Sequence, residues 1–203
     1  MSVVVKRFTG SELGPYLPEL ARLRIDVFRE WPYLYDGSLE YEERYLRGYQ
    51  TDGAMIAVAF DGNRVVGAST ALPLLAHGEV PPSVFDPAGL RPESIYYFGE
   101  SVLCCEYRGR RIGHRFFDER ERYAAELGYT WATFCAVERH ADHPRRPKDY
   151  VPHDAFWTKR GYVRHPELVT TFRWKDVGDE VETEKPMVFW LKPIEPSPIP
   201  PSR

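Results

Sequence analysis

The sequence predicts a mixed α/β domain, with a central, mostly antiparallel sheet, one parallel βαβ crossover and flanking helices. Three stretches predict it. Ala54–Phe60 and Arg64–Leu74 are apolar runs on either side of Asp61-Gly62, a strong hairpin signal. Tyr96–Leu127 reads as strand, turn and helix, and the apolar run Thr130–Val137 then completes a crossover between parallel strands. Val169–Trp174 and Pro186–Leu191 read as two more strands, joined by the charged connection Lys175–Lys185.

The remaining elements follow in order. Val3–Phe8 alternates as a first strand, and Thr9-Gly10-Ser11-Glu12 supplies turn and helix-cap chemistry. Leu17, Leu20, Leu23, Val27 and Phe28 form a helical stripe ending near Glu30, with Pro15 and Pro18 in its first turns, where proline is tolerated. Trp31–Gly37 is an aromatic loop. A second helix follows, marked by Tyr41, Tyr45, Leu46 and Tyr49, with Glu42 and Glu43 expected on its wet face. His77–Pro92, rich in Pro and Gly, is irregular. Strand alternation from Ile95 to Cys104 puts Tyr97 and Gly99 on one face and Phe98, Glu100 and Val102 on the other. Ile112, Phe116, Phe117, Tyr123, Ala124 and Leu127 make one side of the long helix, and Gly128 stands where a left-handed stop is wanted. Glu138–Pro152 is a long polar loop, a short helix covers 154–160, and Gly161 ends it. No domain boundary precedes the Pro-rich tail, which gives one domain over 1–194 and an expected disordered tail over 195–203.

Composition narrows the function classes. With 43% apolar and 14% aromatic residues the chain is a packed globule. A net charge of −3 argues against a general nucleic-acid surface and suits a cationic acceptor. Three cysteines, Cys104 and Cys105 being adjacent, make no disulfide framework and suit a reducing cytosol. No run of 18 apolar residues exists, so a soluble, cytoplasmic protein without membrane contact is expected.

The turn Arg108-Gly109-Arg110-Arg111-Ile112-Gly113, with His114 beyond it, joins a strand to a helix. Unpaired amides, the helix dipole and three arginines make it an anion site with phosphate as the expected occupant. The turn resembles the acyl-CoA-binding turn of the GNAT superfamily of N-acetyltransferases, Arg/Gln-x-x-Gly-x-Gly/Ala, with Arg111 where that family usually has Gly. Ala155-Phe156-Trp157-Thr158-Lys159-Arg160-Gly161-Tyr162 is similar to the family's short helix ending in a Gly-Phe pair.

The resemblance implies an acyl-CoA N-acyltransferase fold and direct transfer of acetyl from acetyl-CoA to a primary amine, small-molecule or peptide, without a metal. It implies a catalytic base at Glu100, in the counterpart of the family's fourth strand, and coenzyme held by 108–114. It also implies an oxyanion and pantetheine contact at the backbone of Val102, Leu103 and Cys104. Trp157 occupies the position of a tyrosine that often protonates the leaving thiolate; an indole N–H is no usable acid, so Tyr150 and Tyr162 are the substitutes, with solvent or the product ammonium as alternatives. Trp31, Tyr33 and Tyr35 border the acceptor pocket by the same analogy, or else seal the first helix against the sheet. His140, Asp142, His143 and His153 have no trustworthy ligand spacing and read as a solvated loop. A homodimer is a family-level expectation. The alternatives are a non-catalytic acyl-CoA-binding protein of this fold, or a module for another phosphorylated ligand.

Overall fold

The computed structural model describes residues 3–195, so the expected tail lies, from 196 onward, outside the described residues. The elements are β1 (Val4–Phe8), α1 (Leu17–Phe28), α2 (Leu39–Arg47), β2 (Met55–Asp61), β3 (Arg64–Pro73), β4 (Ile95–Leu103), α3 (Ile112–Glu126), β5 (Trp131–Val137), α4 (Asp154–Lys159), β6 (Val163–Trp174) and β7 (Thr183–Pro193). Among the described residues seven strands form one sheet in the order β1-β2-β3-β4-β5-β7-β6, and only β4 and β5 are parallel, joined through α3.

Both faces of the sheet are covered, which is why β2 reads as a continuous apolar run. Leu17 and Leu20 of α1 and Leu46 of α2 pack over Ile56, Val58 and Tyr97. Phe116, Phe117 and Ala124 of α3 pack on the opposite face over Met55, Ala57 and Phe98. Burial of the Leu, Ile, Val, Met and Phe side chains among these contributes roughly 1.5–3 kcal/mol each. The Asp61-Gly62 signal is realised as a hairpin in which Asp61 pairs with Arg64.

Three sequence expectations are corrected. The strand expected from Val169 begins at Val163, directly after Gly161, whose φ is +89°. A register shift between His165 and Val169 accommodates Pro166, tolerable because β6 is an edge strand. Glu42, expected in water, is fully buried because Arg24 of α1 reaches its carboxylate.

The third correction moves the site. Ser69 pairs with Ser101, but Ala71 pairs with Phe98, so β4 carries an extra residue around Gly99-Glu100. This bulge reverses the alternation. Val102 therefore joins Tyr97 in the core under α1 and α2, while Phe98 stays with α3. Glu100 turns with Val102 toward α1, away from the side of Phe98. A Cβ at Gly99 would lie 2.3 Å from the Tyr49 hydroxyl and 2.5 Å from Thr70 Oγ1, so glycine is required there.

Candidate active site

The parallel pair opens like a fork. β4 and β5 are in register only at Ile95–Trp131, Tyr96–Ala132 and Tyr97–Thr133, although each continues further. Cys104 donates its N–H to Val66 O at 2.9 Å. Amides alternate in an antiparallel ladder, so Val102 also faces β3, and the amides facing the gap are those of Ser101 and Leu103. Of the expected backbone donors, Val102 and Cys104 face β3 and only the Leu103 amide faces the gap.

At the end of the fork stands the N-terminus of α3. Gly109 and Arg111 have φ of +76° and +62°, the left-handed conformation that glycine adopts freely. That is the physical meaning of the glycine expected at 111; an arginine there costs about 1–2 kcal/mol. Arg111 is the N-cap and offers no side-chain acceptor, so the first amides of α3 around Gly113 and His114 point outward without a cap. Arg108 is paired with Glu30 at 2.8 Å. Arg110 lies over the Tyr107 ring, and neither Arg110 nor Arg111 has a carboxylate partner among the described residues. Phe156 of α4 closes on this end, 4.9 Å from the His114 ring, and Arg160 ties α4 to Asp118 at 2.7 Å.

On the other side of the sheet, a cavity of about 710 Å³ lies between α1–α2 and strands β4 to β7, and Glu100 lines it. Tyr45 donates to Glu100 Oε2 at 3.0 Å, and Arg24 Nη1 forms an ion pair with Oε1. Arg24 also donates to Glu42. Burial works against the Arg24 charge, but Glu100, Tyr45 and Glu42 outweigh it and hold the guanidinium proton more tightly than usual. Tyr33 and Tyr35 line this cavity as well. Burial raises the Tyr33 hydroxyl, and the charges of Cys135, Glu100 and Tyr150 add to the rise; Cys135 and Glu100 line the cavity with it. Tyr150 and Trp31 meet edge to face at 6.0 Å, and neither lines the cavity, so the expected place of Trp31 in its wall is not realised. Burial pushes the Cys135 thiol up to about 12, which leaves it inert as a nucleophile.

The other expected residues lie elsewhere. Tyr162 is buried on the α3 face, and its hydroxyl donates to Glu121 at 3.0 Å. Trp157 packs on Phe134 and Trp190 at 5.0 and 5.1 Å. The long loop is pinned: Arg139 donates to Asp176, Pro32 O and Tyr33 O, and His143 packs on Trp31 at 4.9 Å. Among the described residues there is no group of three or more His, Cys, Asp or Glu able to hold a metal ion, and no helix is long and apolar enough to cross a membrane.

Two residues were missed by sequence reasoning. Arg120 of α3 is buried and donates to Glu100 O at 3.2 Å, Thr70 O at 3.4 Å and Ser101 Oγ at 2.9 Å, which fixes the bulge. Its position, four after Phe116 and four before Ala124, places it on the apolar stripe, and that was the available signal.

His77 lines the cavity and packs on Tyr97 at 4.5 Å. Its Nδ1 accepts from the amides of Glu79 and Val80, and burial pushes the imidazole down to about 4, with Glu100 opposing. Because the unfolded chain binds this proton more tightly, His77 adds stability fully above pH ~6.5 and loses it as pH falls toward 4. The expected loss is about 2 kcal/mol, allowing for a partly solvated ring edge. Urea midpoints of the wild type and His77→Asn between these pH values check it, and an unchanged slope in the variant refutes it.

No protein-family model matches the chain, and no curated protein matches it by sequence. Solved structures do share its fold. A ribosomal-protein-alanine N-acetyltransferase from Brucella melitensis is 16% identical over 94% of this chain and 99% of that one, with a TM-score of 0.60. A GNAT superfamily phosphinothricin acetyltransferase from Sinorhizobium meliloti, solved with AcCoA, is 13% identical over 96% and 90%, with a TM-score of 0.61. An aminoglycoside 6'-N-acetyltransferase solved with coenzyme A is 18% identical over 96% and 99%, with a TM-score of 0.57. The chain therefore has the acyl-CoA N-acyltransferase fold of the GNAT acetyltransferases.

Proposed function

We propose that the protein is an acetyl-CoA-dependent N-acetyltransferase that moves acetyl directly to a primary amine. The observation that carries this reading is the forked β4–β5 pair. It opens at one end on the uncapped start of α3 and on the sheet's other face toward the cavity holding Glu100. A pyrophosphate suits the outward amides around Gly113 and the free Arg110 and Arg111. The gap-facing amides of Ser101 and Leu103 suit a pantetheine arm, and one of them suits the oxyanion that forms on the acetyl carbonyl.

Glu100 takes the proton from the attacking ammonium, held in place by Tyr45 and Arg24. Tyr150, which packs against Trp31, is the group assigned to the leaving thiolate, since the Tyr162 hydroxyl is engaged by Glu121. Binding of acetyl-CoA with turnover to free CoA across a panel of amines tests the reading. Binding without turnover on any amine would leave a coenzyme-binding protein instead.

The arginines give a separate expectation. An Arg110→Ala/Arg111→Gly double variant should raise KM for acetyl-CoA about 10-fold through two lost phosphate contacts, with kcat little changed. Its stability should hold or rise, because glycine relieves the positive φ at 111. Initial rates with acetyl-CoA varied at saturating amine, together with a urea midpoint, check both parts.

A further inference from the structure

The cavity beside Glu100 has an unusual charge balance. Six carboxylates line it (Asp36, Glu42, Glu79, Glu100, Glu180 and Glu182) against four cations (Arg24, Arg44, Arg173 and Lys175). Its histidine, His77, is neutral at physiological pH. The cavity is thus short of two positive charges.

The shortage is located at two places. At the closed end, Glu42 and Glu100 share a single guanidinium, Arg24. The Glu42 side chain is fully buried, and its Oε1 accepts no hydrogen bond among the described residues. Burial, the Glu42 charge and a side-chain contact with Glu42 raise the Tyr35 hydroxyl, but that contact falls short of hydrogen-bond geometry and leaves Oε1 without a donor. A buried carboxylate oxygen without a donor forfeits its hydration with nothing in return, and a ligand N–H⁺ restores the missing bond. At the mouth, Glu79, Glu180 and Glu182 are exposed and have no cationic partner among the described residues. The neighbouring cations are engaged: Lys175 with Asp36 at 2.7 Å, Arg173 with Glu184 at 3.4 Å, and Arg44 over the Tyr41 ring. Between the two ends the walls are largely aromatic, including Phe28, Tyr33, Tyr97, Phe172 and Trp174, surfaces that attract cations and methylene chains alike.

We propose that the cavity takes a dicationic acceptor: its reacting ammonium meets the Glu42–Arg24–Glu100 cluster, and its second ammonium meets Glu79, Glu180 and Glu182 at the mouth. The substrate class is an alkyl diamine or polyamine. This rests on the acetyl-transfer reading for the reaction but not for the binding. The buried Glu42 oxygen is independent of the rim, and both ask for the same sign of charge.

The test compares 1,4-diaminobutane and spermidine with butylamine and 4-aminobutyrate, following CoA release and, separately, calorimetric binding of each amine to the protein. The diamine should exceed butylamine in kcat/KM by about 30-fold, and 4-aminobutyrate should be worst, because its carboxylate meets the acidic mouth. A Glu180→Gln/Glu182→Gln double variant, changed only at exposed positions, should shrink the diamine advantage to a few-fold. Raised salt should shrink it likewise. Equal turnover of diamine and monoamine overturns the inference and leaves acetyl transfer standing. Calorimetric binding of diamine over monoamine, weakened in the double variant but without turnover of any amine, sustains the dication site and removes acetyl transfer.

Discussion

A Glu100→Gln enzyme is expected to lose about 10²–10⁴-fold in kcat near neutral pH, the range for removing a positioned general base. A primary amine reaches the site as an ammonium, with no lone pair to attack the thioester, so something must take its proton. Glu100 is the carboxylate that the bulge in β4 turns into the cavity, where Tyr45 and Arg24 hold it. Glutamine keeps the shape and an acceptor for the Tyr45 hydroxyl but cannot take the proton. Arg24 retains Glu42, so its charge is not stranded and the fold should survive. The deficit should therefore shrink as pH rises toward the pKa of the free amine, because bulk deprotonation replaces the missing step. A pH–rate profile of both enzymes with one amine checks this. Loss confined to KM at every pH would make Glu100 an anchor for the ammonium, and unchanged kinetics would remove it from the site.

What the sequence revealed and what it concealed divide along physical lines. The Asp61-Gly62 hairpin, the strand–turn–helix around Gly113 and the crossover to β5 depend on local patterns, and each has its counterpart in the structure. The bulge at Gly99-Glu100 does not depend on a local pattern. It arises because Tyr49, Thr70 and Arg120 converge there from three other elements, so a period-2 reading put Glu100 on the face of Phe98. Glu42 looked solvated because nothing in α2 announces that Arg24 will reach it. The cavity is hardest to read, being assembled from helices, strands and loops far apart in the chain; Glu79, Glu180 and Glu182 come to line it only through the packing of β3, β4 and the β6–β7 hairpin. The arginine at 111 was legible as a departure, and the +62° φ supplies the reason that glycine is the usual occupant.

The device that places Glu100 yields the largest expected loss of stability. Replacing a buried charge by an apolar side chain is often harmless when its partners can be replaced too. The partners of Arg120 are the carbonyls of Glu100 and Thr70, which no substitution at 120 can remove. Arg120→Met would fill similar space between Phe98 and Phe117, on whose rings the guanidinium now rests. It would leave both carbonyls and Ser101 Oγ without that donor. Each unsatisfied carbonyl costs about 1–3 kcal/mol. Against this, burial already pushes Arg120 down to about 10, so the variant regains part of a desolvation cost. The net expectation is destabilisation by about 4 kcal/mol, with Arg120→Lys recovering less than half, because one ammonium cannot span acceptors on two strands. Activity should fall beyond what unfolding explains. If the bulge relaxes, regular alternation returns Glu100 to the α3 face and leaves the cavity without the proposed base. Urea unfolding of both variants, with activity measured well below the transition, separates the two effects. A shift under about 1 kcal/mol would mean that water or the neighbouring strands satisfy the carbonyls and that the bulge holds itself.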